Sequence, residues 1–283
     1  MFSSRSYIFR FTRRCSSLND PVCLFKTTHE DKIGVLSFNR PKQRNALSLE
    51  MIKLLHTHLD TVHTLAHKSD LRALLICSKE PKMFCAGADL KERSSMSQDE
   101  ARQLVKGLIQ KTASLLTSIP IATVAAIEGA AVGGGLEIAL ACDIRIASAN
   151  AKLGLVETAV GVIPGAGGTQ TLPRVIGEAR AKEMIMMARI LNGKEAESWG
   201  LVNRCVEEGT TFDVALDVCK RIASLAPLAV RASKRAIEGG RSLNLKDGLK
   251  LEFECYETIL GSKDRTEGLQ AFLEKRTPVY KGE

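Results

Sequence analysis

The 283-residue chain is 45% hydrophobic and 25% charged, a balance that supports a sizeable core and excludes a disordered protein. Its length suits one large domain or two small ones, and no run approaches the roughly 18 apolar residues of a membrane-spanning helix. Lys and Arg number 40 against 32 Asp and Glu, a formal charge of +8, so a polyanionic partner has to be weighed against where the charge sits.

Four of the cations, Arg5, Arg10, Arg13 and Arg14, fall in the first 14 residues, and no acid precedes Asp20. Ser3, Ser4, Ser6, Ser16 and Ser17 lie among them with Phe2, Tyr7, Ile8, Phe9 and Phe11. Such an Arg-rich, Ser-rich, acid-poor stretch predicts a mitochondrial transit peptide over residues 1–19, and a Sec-type apolar region is missing. A retained basic tail is the alternative. Removing the stretch takes away four of the eight excess charges, which weakens the case for nucleic acid. The eight cysteines form no CxxC pair and several sit in apolar runs. Buried free thiols in a reducing compartment such as the matrix follow, with neither a zinc site nor a disulfide framework.

Residues 32–39 predict a strand ended by Arg40-Pro41. Over 48–67, Leu49, Ile52, Leu55, Leu59, Val62 and Ala66 recur at spacings of three and four, an amphipathic helix. Residues 71–77 predict a buried strand and 79–87 a loop. Residues 97–118 predict a helix with a Ser97/Glu100 capping box. The apolar run 121–127 is a third strand, and Gly133-Gly134-Gly135 opens a helix over 136–141. Short strands follow at 144–147 and 153–155, then a Gly/Pro loop at 161–168. Beyond Thr169 the patterns are helical: 179–189, 194–200, 212–224, 226–239, 246–258 and 263–274. Strand–helix units first and helices afterwards indicate an α/β core, residues 20–210, with a C-terminal helical region, 211–283.

Several chemistries find no motif. GxSxG, GxxxxGK[ST] and a first-strand GxGxxG are absent. All five histidines precede residue 70. His63 and His67 have metal-compatible spacing but lack the HExxH glutamate, so they read as solvated side chains on a helix. What remains is glycine-rich turns with carboxylates. A glycine triplet before a helix offers unsatisfied N–H groups at the positive end of the helix dipole. Glu137 lies on the first turn of that helix and Glu157 precedes the Gly/Pro loop. Two carboxylates near such donors suit proton transfer beside a carbonyl. A favourable helix-dipole partner and an ordinary turn are the alternatives on spacing alone.

The ordered set FCAGADLKE, GGGLEIALACDIRIA and LGLVETAVGVIPGAGGTQ resembles the crotonase, or enoyl-CoA hydratase/isomerase, superfamily. NRPKQRNAL and FLEKRTPVYKGE match in order, and the likeness runs from about residue 32 to the C-terminus. LKER, GLVET and SKDRTEGLQAFLEKRTPVYKGE look most like the mitochondrial methylglutaconyl-CoA hydratase (AU-binding homologue) branch. The resemblance implies an α/β superhelix of ββα units with a C-terminal helical trimerisation region, as a homotrimer or a paired homohexamer. It implies an oxyanion hole from the N–H groups of Ala88 and Gly134, holding the thioester oxygen of an acyl-CoA. Glu137 and Glu157 match the two hydratase carboxylates, which would bind a water between them. Glu137 would assist its attack at Cβ, and Glu157 would deliver a proton to Cα. Coenzyme A would meet Ala86 and Lys91, with Lys275 reaching from a neighbouring subunit; Arg44 is a weaker candidate. No metal and no separate cofactor are implied, since coenzyme A is part of the substrate.

The expected function is hydration of the 2,3-double bond of a short or branched enoyl-CoA, 3-methylglutaconyl-CoA of leucine degradation among them, in the mitochondrial matrix. Family isomerases and decarboxylases often keep one carboxylate or shift it, so retention of both argues for hydration over isomerisation. RNA binding, also known in this branch, would need a Lys-rich helix over 48–67. Here only Lys53 and then Lys68 are present, a poor match for phosphate contacts. Thr171 departs from the Arg that commonly follows GGTQ, at a position without a catalytic role.

Overall fold

The computed structural model describes residues 21–28, 32–68 and 71–283. The expected transit peptide at 1–19 lies outside the described residues. Two sheets organise the chain. The larger has six strands in the order β1-β2-β3-β5-β7-β9, and the smaller has three, β4-β6-β8. Strands β1 (Cys23–Thr28) and β2 (Ile33–Phe38) pair antiparallel. Every later pairing, through β3 (Ala73–Ser78), β5 (Ala122–Ile127), β7 (Ile144–Ser148) and β9 (Arg204–Val206), is parallel. The small sheet, β4 (Met83–Cys85), β6 (Ala130–Val132) and β8 (Lys152–Gly154), is wholly parallel.

The chain therefore lays one strand in the large sheet, one in the small sheet, then helix, and repeats. The loop predicted at 79–87 contains β4, and β1, β6 and β9 also escape the sequence pattern. Three of these four have only three residues, too few to show alternation. Strand β2 is buried at all six positions, because both faces of the large sheet are covered. Leu36 and Phe38 join the main core with α1 (Leu49–His67), while Ile33 and Val35 join a second core with α9 (Thr211–Ala223). Strands β3 and β5 divide their side chains in the same way, as parallel strands covered on both faces must.

Helix α1 follows its pattern closely. Ser48 caps it by accepting from the Met51 N–H at 3.3 Å, and Met51, Ile52, Leu55, Leu59, Val62 and Ala66 are buried. Each full burial of a Leu contributes about 1.5–3 kcal/mol. The histidines are not all solvated. His56 is buried and bonds the Thr112 hydroxyl at 2.9 Å, while His58 and His63 pair with the Cys23 and Leu115 carbonyls. Six cysteines, Cys23, Cys77, Cys85, Cys142, Cys219 and Cys255, are buried free thiols.

The predicted helix at 97–118 is α3 (Gln98–Leu104) and α4 (Gln110–Thr117) joined by a wider turn, Val105–Ile109, in which the Gln110 N–H reaches back to the Val105 carbonyl. The Ser97/Glu100 capping box is present. The four-residue α2 (Leu90–Arg93) precedes this pair, and α5 (Gly134–Leu140) follows β6. Helices α6 (Gly168–Ile176), α7 (Glu178–Met186) and α8 (Gly193–Ser198) lead to β9. After α9 come α10 (Pro227–Gly240), α11 (Leu245–Leu260) and α12 (Lys263–Leu273), with α10 packed on α11. Among the described residues no helix is long and apolar enough to cross a membrane.

Candidate active site

The site forms where β4 and β6 of the small sheet run into the turns before α2 and α5. Residue Gly87 has φ +82°, and a Cβ there would lie 2.7 Å from the Val132 carbonyl oxygen and 3.1 Å from the Gly134 nitrogen. Only glycine fits that close approach. The approach puts the backbone of Gly87-Ala88 beside that of Gly134. Among the described residues no acceptor takes the N–H of Ala88 or of Gly134. Gly134 is the first residue of α5, so its free donor also stands at the positive end of the helix dipole. The helix begins inside the glycine triplet, two residues earlier than the sequence pattern predicts. A Cβ on Gly135 would meet the Cys85 carbonyl oxygen at 2.3 Å, so the third glycine lets α5 pack directly on β4.

Asn45 locks the opposite wall. It sits at φ +55°. Its amide donates to the Ser78 hydroxyl at 2.7 Å and to the Met83 and Phe84 carbonyls at 3.2 and 3.0 Å. Its side-chain oxygen accepts from the Arg40 N–H at 2.7 Å. The Leu47 N–H then bonds the Gly87 carbonyl at 2.7 Å. The NRPKQRNAL segment thus shapes the turn that presents Ala88. Arg40 also pairs with Asp89 at 2.7 Å, and that guanidinium holds the Asp89 carboxyl below the usual carboxylate range.

Glu137 and Glu157 come together although 20 residues separate them. Glu137 is buried, 4% exposed. Its Oε1 accepts from the Ala166 and Gly168 N–H groups, both at 2.8 Å. Its Oε2 faces Gly134, where a Cβ would lie 3.9 Å away. Glu157 begins a single helical turn, Glu157–Val160. Its Oε1 faces the neighbouring Gly133, where a Cβ would lie 3.1 Å away, and its Oε2 is buried without a partner among the described residues. The two carboxylates therefore flank consecutive glycines at the mouth of α5.

Burial raises both carboxyls above the ordinary glutamate value. For Glu137 the two backbone donors and the nearby Arg93 guanidinium oppose the rise. Glu157 reaches about 7, through burial first and then the negative charge of Glu137, against the pull of its own N–H and of Arg93. The two environments separate a carboxyl with fixed backbone donors from one without them that is raised to about 7.

Ala86 and Lys91 flank the same turn. Ala86 donates its N–H to the Arg44 carbonyl at 3.1 Å, and Lys91 is exposed on α2. Lys275 stands exposed past α12 at φ +54°, and within one chain no bond ties it to the glutamates. Three participants escape sequence reasoning. The Ala166 and Gly168 N–H groups act through the backbone, and their only trace is the GAGG loop. Arg93 is half-buried and acts electrostatically on both glutamates, yet it looks like any surface cation of a charged turn.

Two sheets wound together by ββα turns, with paired carboxylates at the glycine-lined seam, define the crotonase-type α/β superhelix. The family model described as enoyl-CoA hydratase/isomerase matches residues 28–283, and the chain belongs to that family. It is 47% identical over 257 residues to the human protein named methylglutaconyl-CoA hydratase, mitochondrial, covering 89% of this chain and 74% of that one. The Arabidopsis thaliana protein named probable enoyl-CoA hydratase 2, mitochondrial, is 42% identical over 284 residues, covering 99% and 93%. A crystal structure of enoyl-CoA hydratase from Bacillus anthracis superposes with a TM-score of 0.88 at 43% identity, covering 93% of this chain and all of that one.

Proposed function

We propose that the protein is an enoyl-CoA hydratase that adds water across the 2,3-double bond of a short or branched acyl-CoA. The observation that carries this reading is the convergence of Glu137 and Glu157 on consecutive glycines beside the unpaired N–H groups of Ala88 and Gly134. The thioester oxygen accepts from those two donors. As water adds at Cβ, the acyl group becomes enolate-like, and charge grows on that oxygen. Donors already fixed in place stabilise it without reorganisation, by about 2.7–4 kcal/mol each. Glu137, whose ionised form is favoured by two N–H donors, accepts the water's proton through its free Oε2. Glu157 carries its proton near neutral pH and delivers it to Cα. Water supplies the only other atoms, so the reaction asks for no further cofactor and no metal.

Ala86 and Lys91, on either side of the turn at Ala88, would meet the pantetheine arm. The apolar residues left bare on α11 and α12 support assembly into trimers, paired as hexamers, in which Lys275 approaches a neighbour's coenzyme A. The names of the human and Arabidopsis relatives support mitochondrial residence, with residues 1–19 as the address and the matrix as the destination. The human relative's name also supports 3-methylglutaconyl-CoA, in leucine breakdown, as the acyl substrate. The test is loss of the enoyl-thioester absorbance on crotonyl-CoA and 3-methylglutaconyl-CoA. Folded protein inactive on both, with Glu137→Ala changing nothing, overturns the reading. Double-bond isomerisation instead of hydration would leave its own product pattern in deuterated water.

A further inference from the structure

Leu47 meets both unpaired donors, one through its backbone and the other through its side chain. Its backbone forms an isolated parallel bridge with Ala88. The Leu47 N–H donates to the Gly87 carbonyl at 2.7 Å, and the Leu47 carbonyl accepts from the Asp89 N–H at 3.4 Å. Successive peptide groups of an extended segment point to opposite sides. With the groups of Gly87 and Asp89 turned toward Leu47, the Ala88 N–H is turned the other way, which is why no backbone acceptor takes it. Arg40 staples the two segments together: its Nη1 donates to the Ala46 carbonyl at 3.0 Å and to the Asp89 carboxylate at 2.7 Å.

The side chain reaches Gly134. A Cβ there would lie 3.1 Å from the Leu47 Cδ1, whereas the Gly87 Cα and the Glu137 Oε2 would be at ordinary contact distances of 3.7 and 3.9 Å. The Leu47 methyl is thus the group that closes the space over the start of α5. The side chain is buried, 9% exposed, within the main core, and a close-packed interior does not yield to small displacements. The bridge fixes the direction of one donor and the methyl backs the residue that carries the other. Two donors stabilise one oxygen only if both stand about 2.7–3.1 Å from it, so their separation matters as much as their presence. Resting on the hydratase reading of this site, we propose that Leu47 is a positioning residue of the oxyanion hole, setting the separation of the Ala88 and Gly134 N–H groups without touching the reacting atoms.

The test reads carbonyl polarisation apart from turnover. Butyryl-CoA, saturated and isotope-labelled at the thioester carbonyl, is bound to the enzyme and its carbonyl stretch is followed by infrared difference spectroscopy. Wild type lowers the stretch below that of free butyryl-CoA. Leu47→Val withdraws the Cδ atoms at little cost in core volume. It returns the stretch part of the way and lowers kcat on crotonyl-CoA about 10-fold or more, with KM changed little. Leu47→Met restores the reach and recovers most of both. Leu55→Val, an equal truncation in the core face of α1, lowers stability but moves neither readout. A Leu47→Val enzyme with wild-type stretch and kcat, or one changed in KM alone, overturns the assignment. So does a wild type that hydrates crotonyl-CoA without lowering the stretch, which leaves the hydratase reading intact. A Leu47-dependent stretch without hydration of any enoyl thioester overturns the hydratase reading and leaves the assignment standing.

Discussion

At the seam between the small sheet and α5, one extra methyl group has nowhere to go: a Cβ on Gly135 would sit 2.3 Å from the Cys85 carbonyl oxygen. On α11 and α12 the opposite holds. Leu245, Leu249, Phe253, Phe272 and Leu273 stand in solvent, with Phe272 81% exposed. Both regions are rich in groups that a simple surface would not tolerate. The seam holds buried carboxylates and unpaired N–H donors, whereas the helical end holds bare apolar side chains. In the first, the constraint is closed within one chain by backbone contacts. In the second it is left open, and only another surface satisfies it. The packing at the seam is therefore a property of the single chain, while the C-terminal helices leave large apolar side chains exposed.

The largest effect expected to sharpen this contrast comes from the seam. Glu137→Gln keeps the shape and both N–H contacts within reach but removes the proton acceptor. Hydration of crotonyl-CoA should fall about 10²–10⁴-fold, with the thermal unfolding midpoint changed little. Next comes Gly135→Ala. Because the contact is backbone on backbone, α5 has to shift away from β4. Chemical denaturation should show a loss of about 1–3 kcal/mol, and kcat should drop about 100-fold as Glu137 and the Gly134 donor move together.

The helical end answers differently. Leu249→Glu combined with Phe253→Glu should shift the sedimentation coefficient toward the monomer. Each substitution, at an exposed site, should alter the stability of the dissociated chain by about 0.5 kcal/mol or less. An assembly that survives both charges would place the contact elsewhere.

The smallest effect is a pH dependence. The Glu157 carboxyl rises from an ordinary 4.5 in the unfolded chain to about 7 in the folded one. The folded state therefore holds this proton more tightly, so stability is highest below 4.5 and declines as pH climbs from 4.5 through about 7. Glu157→Gln lacks this titration. Its melting temperature relative to wild type should be higher at pH 8 than at pH 5, by a few degrees at most. In the intact enzyme the same proton sets an alkaline limb, and kcat/KM should fall as pH rises through about 7.

Much of the fold is legible in the sequence wherever an element is long and one-sided. Helix α1 and the Ser97 capping box follow their residue patterns within a residue, and the helices from α7 onward within three. Strands β4, β6 and β9 are not legible, since three residues carry no period. The same brevity hid the small sheet that positions the site. His56 misleads in another way. It looks like a polar-face residue, but α4 covers it and Thr112 takes its ring nitrogen. Among the site residues, Glu137 and the glycine triplet announce themselves by spacing, while Arg93 carries no local signature.

Residue order alone thus determined the strand–helix alternation of the large sheet and the helical end, because hydrophobic period and glycine placement act locally. It also determined which glutamates accompany the glycines, and through the ordered motifs, the family. Only the tertiary structure decided that Glu157 faces Gly133 while Glu137 faces Gly134, that Ala166 and Gly168 supply donors to one carboxylate alone, and that Arg93 acts on both glutamates. Those outcomes depend on backbone groups and side chains from separate turns meeting at one seam. Burial and the neighbours found there, rather than the residue types themselves, raise both carboxyls and bring Glu157 to about 7.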